Sequence, residues 1–202
     1  WALPPVTFRA GKLHGPSVDD VLGTVVLLAT LREAGGPVWC VFTRAEEVGF
    51  HGAIELARSG WIPTGALVVS VEMSRERPWA RIGQGPVVRV GDRRWVFDAE
   101  ATAFLMESAR AAGVTAQRAL MDGGTCEATA FAAWGCRVGG VCLPLGNYHN
   151  IGPGTRPRAE YVSVADLEGL VRLLASATAR WADQRRGRSD LKRWVMSVRR
   201  AA

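Results

Sequence analysis

Apolar runs of strand length alternate with helical patterns along most of this chain, and that alternation constrains the fold most strongly. Residues 38–42, 66–71 and 137–143 are short apolar runs, and residues 115–120 follow a stop at Gly113. Each reads as a buried strand. Helical patterns lie between and around them. Residues 21–32 form one, with Ser17 or Asp19 as its cap and Gly35-Gly36 as its stop. Residues 53–58, 99–112 after Asp98, 127–134, and 167–181 after residues 163–166 form the others. Residues 87–90 and 95–97 flank Gly91-Asp92 and read as a hairpin. Residues 1–16 read as a short strand and a loop. Strands and helices at βαβ spacing imply an α/β fold: a three-layer αβα arrangement on a mostly parallel, mixed central sheet.

The 202 residues, 48% hydrophobic and 22% charged, suffice for one domain with a substantial core. The net charge of +6 gathers at the end, where Arg185-Arg186-Gly187-Arg188, Lys192-Arg193 and Arg199-Arg200 are interrupted by Asp190 alone. Such a tail can bind nucleic acid or an acidic membrane. No nucleic-acid module accompanies it, so residues 183–202 read as a solubilising basic helix, and neither nucleic acid nor membrane is expected as a partner. Cys40, Cys126, Cys136 and Cys142 form no C-x-x-C pair, which argues against a structural zinc site. No signal peptide or spanning segment is visible, and a reducing, cytoplasmic setting is the expectation. The chain starts at Trp1 and runs at once into Pro4-Pro5-Val6, and it reads as a fragment or a processed product.

Acidic and imidazole side chains recur at the edges of the apolar elements. Asp19 and Asp20 open the first helix, Glu46 and Glu47 follow the run at 38–42, Glu72 follows the run at 66–71, and His149 follows the run at 137–143. In a parallel sheet the carboxyl ends of the strands border one crevice. Carboxylates and an imidazole gathered there suit a divalent ion such as zinc, manganese or cobalt. Two such ions can activate a water and polarise a carbonyl together, and a separate carboxylate must then take the proton.

Asp19-Asp20-Val21-Leu22-Gly23, Glu46-Glu47-Val48-Gly49-Phe50-His51-Gly52-Ala53, Gly123-Gly124-Thr125 and Tyr148-His149 occur in that order. Gly11-Lys12-Leu13-His14-Gly15 and Arg81-Ile82-Gly83-Gln84-Gly85-Pro86 accompany them. In these stretches the chain resembles the co-catalytic two-metal aminopeptidases, most closely the glutamyl/deblocking family that forms tetrahedral dodecamers. The likeness runs from about Val6 to Trp181. It implies a zinc-exopeptidase-like catalytic domain over residues 1–182, two divalent ions, peptide substrates and a homo-oligomer. Asp19 would bridge the two ions, Glu46 would be the general base, Glu47 and His149 would hold one ion, and Glu72 would hold the other. Asp20 would support Asp19.

Three departures accompany the resemblance. The family has another metal-binding His, in a His-x-Asp motif, upstream of the Asp pair, and a lid domain inserted between the two. Neither is found here, and His14 does not stand in such a motif. Glu72 stands where the family commonly has Asp, and Cys126 follows Gly-Gly-Thr where it also commonly has Asp. The missing His leaves two readings: a chain cut from a longer protein, which is favoured, and a one-metal or inactive relative. A related deacylase or amidohydrolase and an inactive scaffold are the rival functions.

Overall fold

The computed structural model describes residues 5–200, with the side chains of the last helix described through Trp181 and at Met196. A four-stranded sheet forms the middle layer. Its strands are β3 (Leu67–Arg75), β6 (Arg137–Leu145), β4 (Val87–Asp92) and β5 (Gln117–Met121), in the order β3-β6-β4-β5. β3 runs parallel to β6 and β4 parallel to β5, while β4 and β6 are antiparallel. A small antiparallel sheet, β1 (Thr7–Arg9), β2 (Lys12–Gly15) and β7 (Glu160–Ser163), sits beside it.

Helices cover both faces. On one side lie α1 (Val18–Glu33), α3 (Ala99–Ala111) and α5 (Val164–Arg200). Their inward side chains, among them Val26, Leu105, Leu170 and Leu173, pack with Val88, Val141 and Leu143 of the sheet. On the other side α2 (His51–Arg58) and α4 (Glu127–Ala133) bury Ala53, Ala128 and Phe131 against Phe97 and Val138. The αβα layering thus follows from a sheet that must hide both of its faces. Each fully buried Leu contributes on the order of 1.5–3 kcal/mol by leaving water.

The caps are local. The Asp98 carboxylate accepts from the Ala101 amide at 2.7 Å and starts α3. The Ser163 hydroxyl accepts from the Asp166 amide at 3.3 Å and starts α5.

Several expectations are corrected. Residues 38–42 form no strand: they take no regular structure, with Trp39, Val41 and Phe42 exposed. An apolar run becomes a strand only if a neighbour accepts its backbone, and the described residues offer it no such ladder. The expected hairpin at 87–97 shrinks to one bridge between Gly91 and Val96, because β4 finds longer ladders with β5 and β6. Neither Ser17 nor Asp19 caps α1 through its side chain: Ser17 is left-handed and makes no cap bond, and Asp19 has non-helical backbone angles. The strand β7 had no counterpart in the sequence reading. The side chains of the basic segment at 183–202 lie outside the described residues, apart from Met196. No helix among the described residues is long and apolar enough to cross a membrane.

Candidate active site

Asp19 is held at the start of α1, just after β2 delivers the chain to Gly15. Its carboxylate is mostly buried, and its backbone amide donates to Glu160 Oε2 at 3.1 Å. Glu46 and Glu47 occupy a tight turn ahead of α2, in which the Gly49 and Phe50 amides both donate to the Glu46 carbonyl at 3.1 Å. His149 lies in the turn Tyr148–Asn150 after β6, with a left-handed φ of 57°. Its ring stacks on Tyr148 at 3.9 Å between centroids, and the Arg75 guanidinium lies 5.2 Å over the Tyr148 ring.

These elements converge. One ligand atom from each of Asp19, Glu47 and His149 can be chosen so that all lie within 4.8 Å of one another. Donors roughly 2 Å from one ion lie at most roughly 4 Å apart, so the exposed Glu47 and His149 must shift inward to bring all three into reach. Two carboxylates and an imidazole form a donor set suited to zinc, manganese or cobalt. Glu72 does not join this three-residue group. It lies within β3, which runs on to Arg75, and it accepts a hydrogen bond from the Ser70 hydroxyl.

Glu72 nevertheless faces the same crevice, a space of about 1540 Å³ shared by Asp19, Glu46, Glu47, Glu127 and His149. Burial pushes the Asp19 carboxyl up to about 7, and the charges of Glu160, Glu72, Glu47 and Glu46 push it the same way. Burial likewise raises Glu46 to about 7, helped by Glu72, Glu47 and Glu127. Burial also raises Glu72, against the opposing pull of Arg89. Carboxylates gathered so closely repel one another, and a divalent cation is the natural compensation.

Other residues singled out in the sequence take supporting places. Asp20 Oδ1 accepts from the Gly23 amide at 3.1 Å and closes the first turn of α1. His51 is exposed at the start of α2. Glu127 starts α4 and accepts from the Thr43 hydroxyl. Cys126 is buried, and burial pushes its thiol up to about 12, which suits a small packed side chain better than a reactive thiolate. Asn147 donates from Nδ2 to the Ala159 carbonyl at 2.7 Å and shapes the turn. Sequence reasoning missed Glu160, whose only sequence signal was an acid inside the short alternation Glu160-Tyr161-Val162-Ser163.

An αβα sandwich with two carboxylates and an imidazole in one crevice presents a donor set suited to a divalent cation. The model of the M42 glutamyl aminopeptidase family matches residues 2–173, and the chain belongs to that family. A protein from Acetivibrio thermocellus named "Putative aminopeptidase" is 26% identical over 171 residues, covering 80% of this chain and 49% of its own length. An aminopeptidase from the archaeon Desulfurococcus kamchatkensis has a similar structure, with a TM-score of 0.71 and 27% identity over 85% of this chain and 50% of its own. The TET1 peptidase of Pyrococcus horikoshii shares the fold, with a TM-score of 0.70 and 22% identity over 86% of this chain and 52% of its own. This chain therefore spans about half the length of the relatives it matches.

Proposed function

We propose that residues 1–182 form the catalytic domain of a metal-dependent aminopeptidase that removes N-terminal residues from peptides. The observation that supports it most is the convergence of Asp19, Glu47 and His149 in the shared crevice. These three side chains would hold the cation. A divalent cation supplies Lewis acidity at a peptide carbonyl and positive charge opposite the developing oxyanion.

Glu46 does the proton work. It lies beside Glu47 and its raised carboxyl suits a group that must accept and release a proton near neutrality. Glu46 takes a proton from the attacking water as the water oxygen bonds to the scissile carbonyl carbon. The carbon–nitrogen bond then breaks, and Glu46 passes the proton to the leaving amine. Two ions per site are proposed, with Asp19 shared and Glu72 a donor to the second. Glu72 lines the same crevice as Asp19, and that supports the placement.

The Pyrococcus horikoshii TET1 peptidase can assemble into a tetrahedron or a large octahedral shell. A homo-oligomer is proposed here also, to be read by light scattering. A reducing cytoplasmic setting suits the free thiols of Cys40, Cys126, Cys136 and Cys142.

Glu46→Gln tests the reading. Turnover of amino-acid amides should vanish while cobalt binding persists. Normal turnover in that variant removes Glu46 from the role of base. No hydrolysis by the unaltered chain with zinc, manganese or cobalt added, and less than one ion bound, favours an inactive scaffold. One ion rather than two by metal analysis removes Glu72 from the donor set. Hydrolysis of N-acyl amino acids in preference to amides favours a deacylase.

A further inference from the structure

We infer that Glu160 is a positioning residue for the cation site, its single carboxylate tying the segment that carries Asp19 to the segment that carries His149. The inference rests on the cation reading above and deepens it.

Glu160 is the first residue of β7 and is 1% exposed. Its backbone stands between the two segments in question. It pairs with Gly15 at the end of β2, just before the chain turns into Asp19. Its neighbour Tyr161 exchanges backbone hydrogen bonds with Gly146, at the exit of β6 toward His149. The side chain repeats that bridge. Oε2 accepts from the Asp19 amide at 3.1 Å, and Oε1 accepts from the Asn150 amide, next to His149, at 3.3 Å.

Two features mark this as more than a strand-end acid. First, no Lys or Arg nitrogen among the described residues lies within 4 Å of Glu160. A carboxylate buried without a cationic partner is costly, and its charge sits behind the donors of a cation. Second, Asn147, His149 and Asn150 all adopt left-handed φ, at 53°, 57° and 59°. Left-handed angles are uncommon outside glycine, although Asn and His take them more readily than most residues, and surrounding bonds help to hold this run of them. Glu160 supplies one such bond. The Asn147 amide to Ala159 and the Arg158 amide to the Asn150 carbonyl supply two more.

Glutamine cannot replace both bonds, since its amide has one acceptor oxygen and would turn a donor toward the other N–H. Glu160→Gln should therefore loosen the separation of Asp19 and His149. The whole chain is titrated with cobalt and followed by its visible absorption. The variant should bind about 10–100-fold more weakly than the unaltered chain, the usual cost of losing a partner that orients a ligand, and its absorption band should change shape. A purely structural acid would lower the melting temperature and leave cobalt affinity and band unchanged, and that result overturns the inference.

Absence of cobalt binding by the unaltered chain overturns the cation site itself, and the role of Glu160 with it. Amide hydrogen exchange of the unaltered chain gives a second measurement that does not depend on any variant folding. The Asp19 and Asn150 amides should both be strongly protected, and free exchange at either overturns the clamp. If Glu160→Gln does not fold, Glu160→Asp is used, which keeps the charge and retracts the oxygens. It should also weaken cobalt binding, and unchanged affinity in it overturns the inference.

Discussion

Nε2 of His149 stands 3.9 Å from Oδ2 of Asp19, although the first lies in a turn after β6 and the second at the start of α1. The contact joins the segment after β2 of the small sheet to the segment after β6 of the four-stranded sheet. β2 and β7 pair on one side, and Gly146 pairs with Tyr161 on the other, so the segment around Glu160 sets the gap that a cation would fill.

Asp19→Asn and His149→Ala should each weaken cobalt or zinc binding by more than about 100-fold. His149→Ala removes a donor outright, Asp19→Asn replaces an anionic donor with a neutral amide oxygen, and even losing an orienting partner costs about 10–100-fold. Calorimetric titration of each variant checks this. Unaltered affinity in Asp19→Asn places the cation elsewhere.

Asp92 should govern stability on the acid side. Its carboxylate accepts from the Arg94, Trp95 and Cys126 amides at 2.7, 3.0 and 3.0 Å and from the Thr129 hydroxyl at 2.6 Å. Burial alone would raise this carboxyl, but those bonds outweigh it and hold it below its ordinary 3.8. The native state therefore binds its proton less readily than the unfolded chain does. The stabilisation is complete above 3.8 and is lost as pH falls through the lower native value. Asp92→Asn should cost about 2 kcal/mol at pH 7, with the gap from the unaltered chain narrowing below about pH 4. Urea unfolding at several pH values measures it, and a gap that widens in acid contradicts the assignment.

Leu173→Ala in α5 should cost about 3 kcal/mol, since Leu173 is fully buried and its loss leaves a cavity. Cobalt affinity should change little, because Leu173 itself does not line the crevice. Urea unfolding together with a cobalt titration separates the two effects.

Gly85→Ala should cost at least about 2 kcal/mol. Gly85 has a φ of 94°, and a Cβ there would lie 1.9 Å from the Thr115 carbonyl oxygen. Its amide also donates to the buried Asp166 at 2.8 Å. A chain of this size should then melt roughly 4–8 °C lower. Calorimetry that finds no shift would mean the loop relaxes freely.

The elements that the sequence reveals best are those with local causes. α3 begins where Asp98 can accept an amide and ends near Gly113, and α4 follows the Gly123-Gly124 turn. One element read wrongly and one read only in part depended on distant partners. The run at 38–42 has the composition of a strand, but a strand exists only where another edge receives it. Val87–Asp92 had a nearby hairpin partner in sequence and found longer ones in β5 and β6.

Sequence alone was enough to choose the αβα class and the acids and imidazole worth attention, because apolar periodicity, caps and side-chain chemistry are properties of neighbours along the chain. Tertiary structure decided that Asp19, Glu47 and His149 share one spot, that Glu72 stays outside their group, and that Glu160 holds two segments together. Convergence of that kind depends on how strands pair and how turns aim side chains across the fold, and no local pattern encodes such distances.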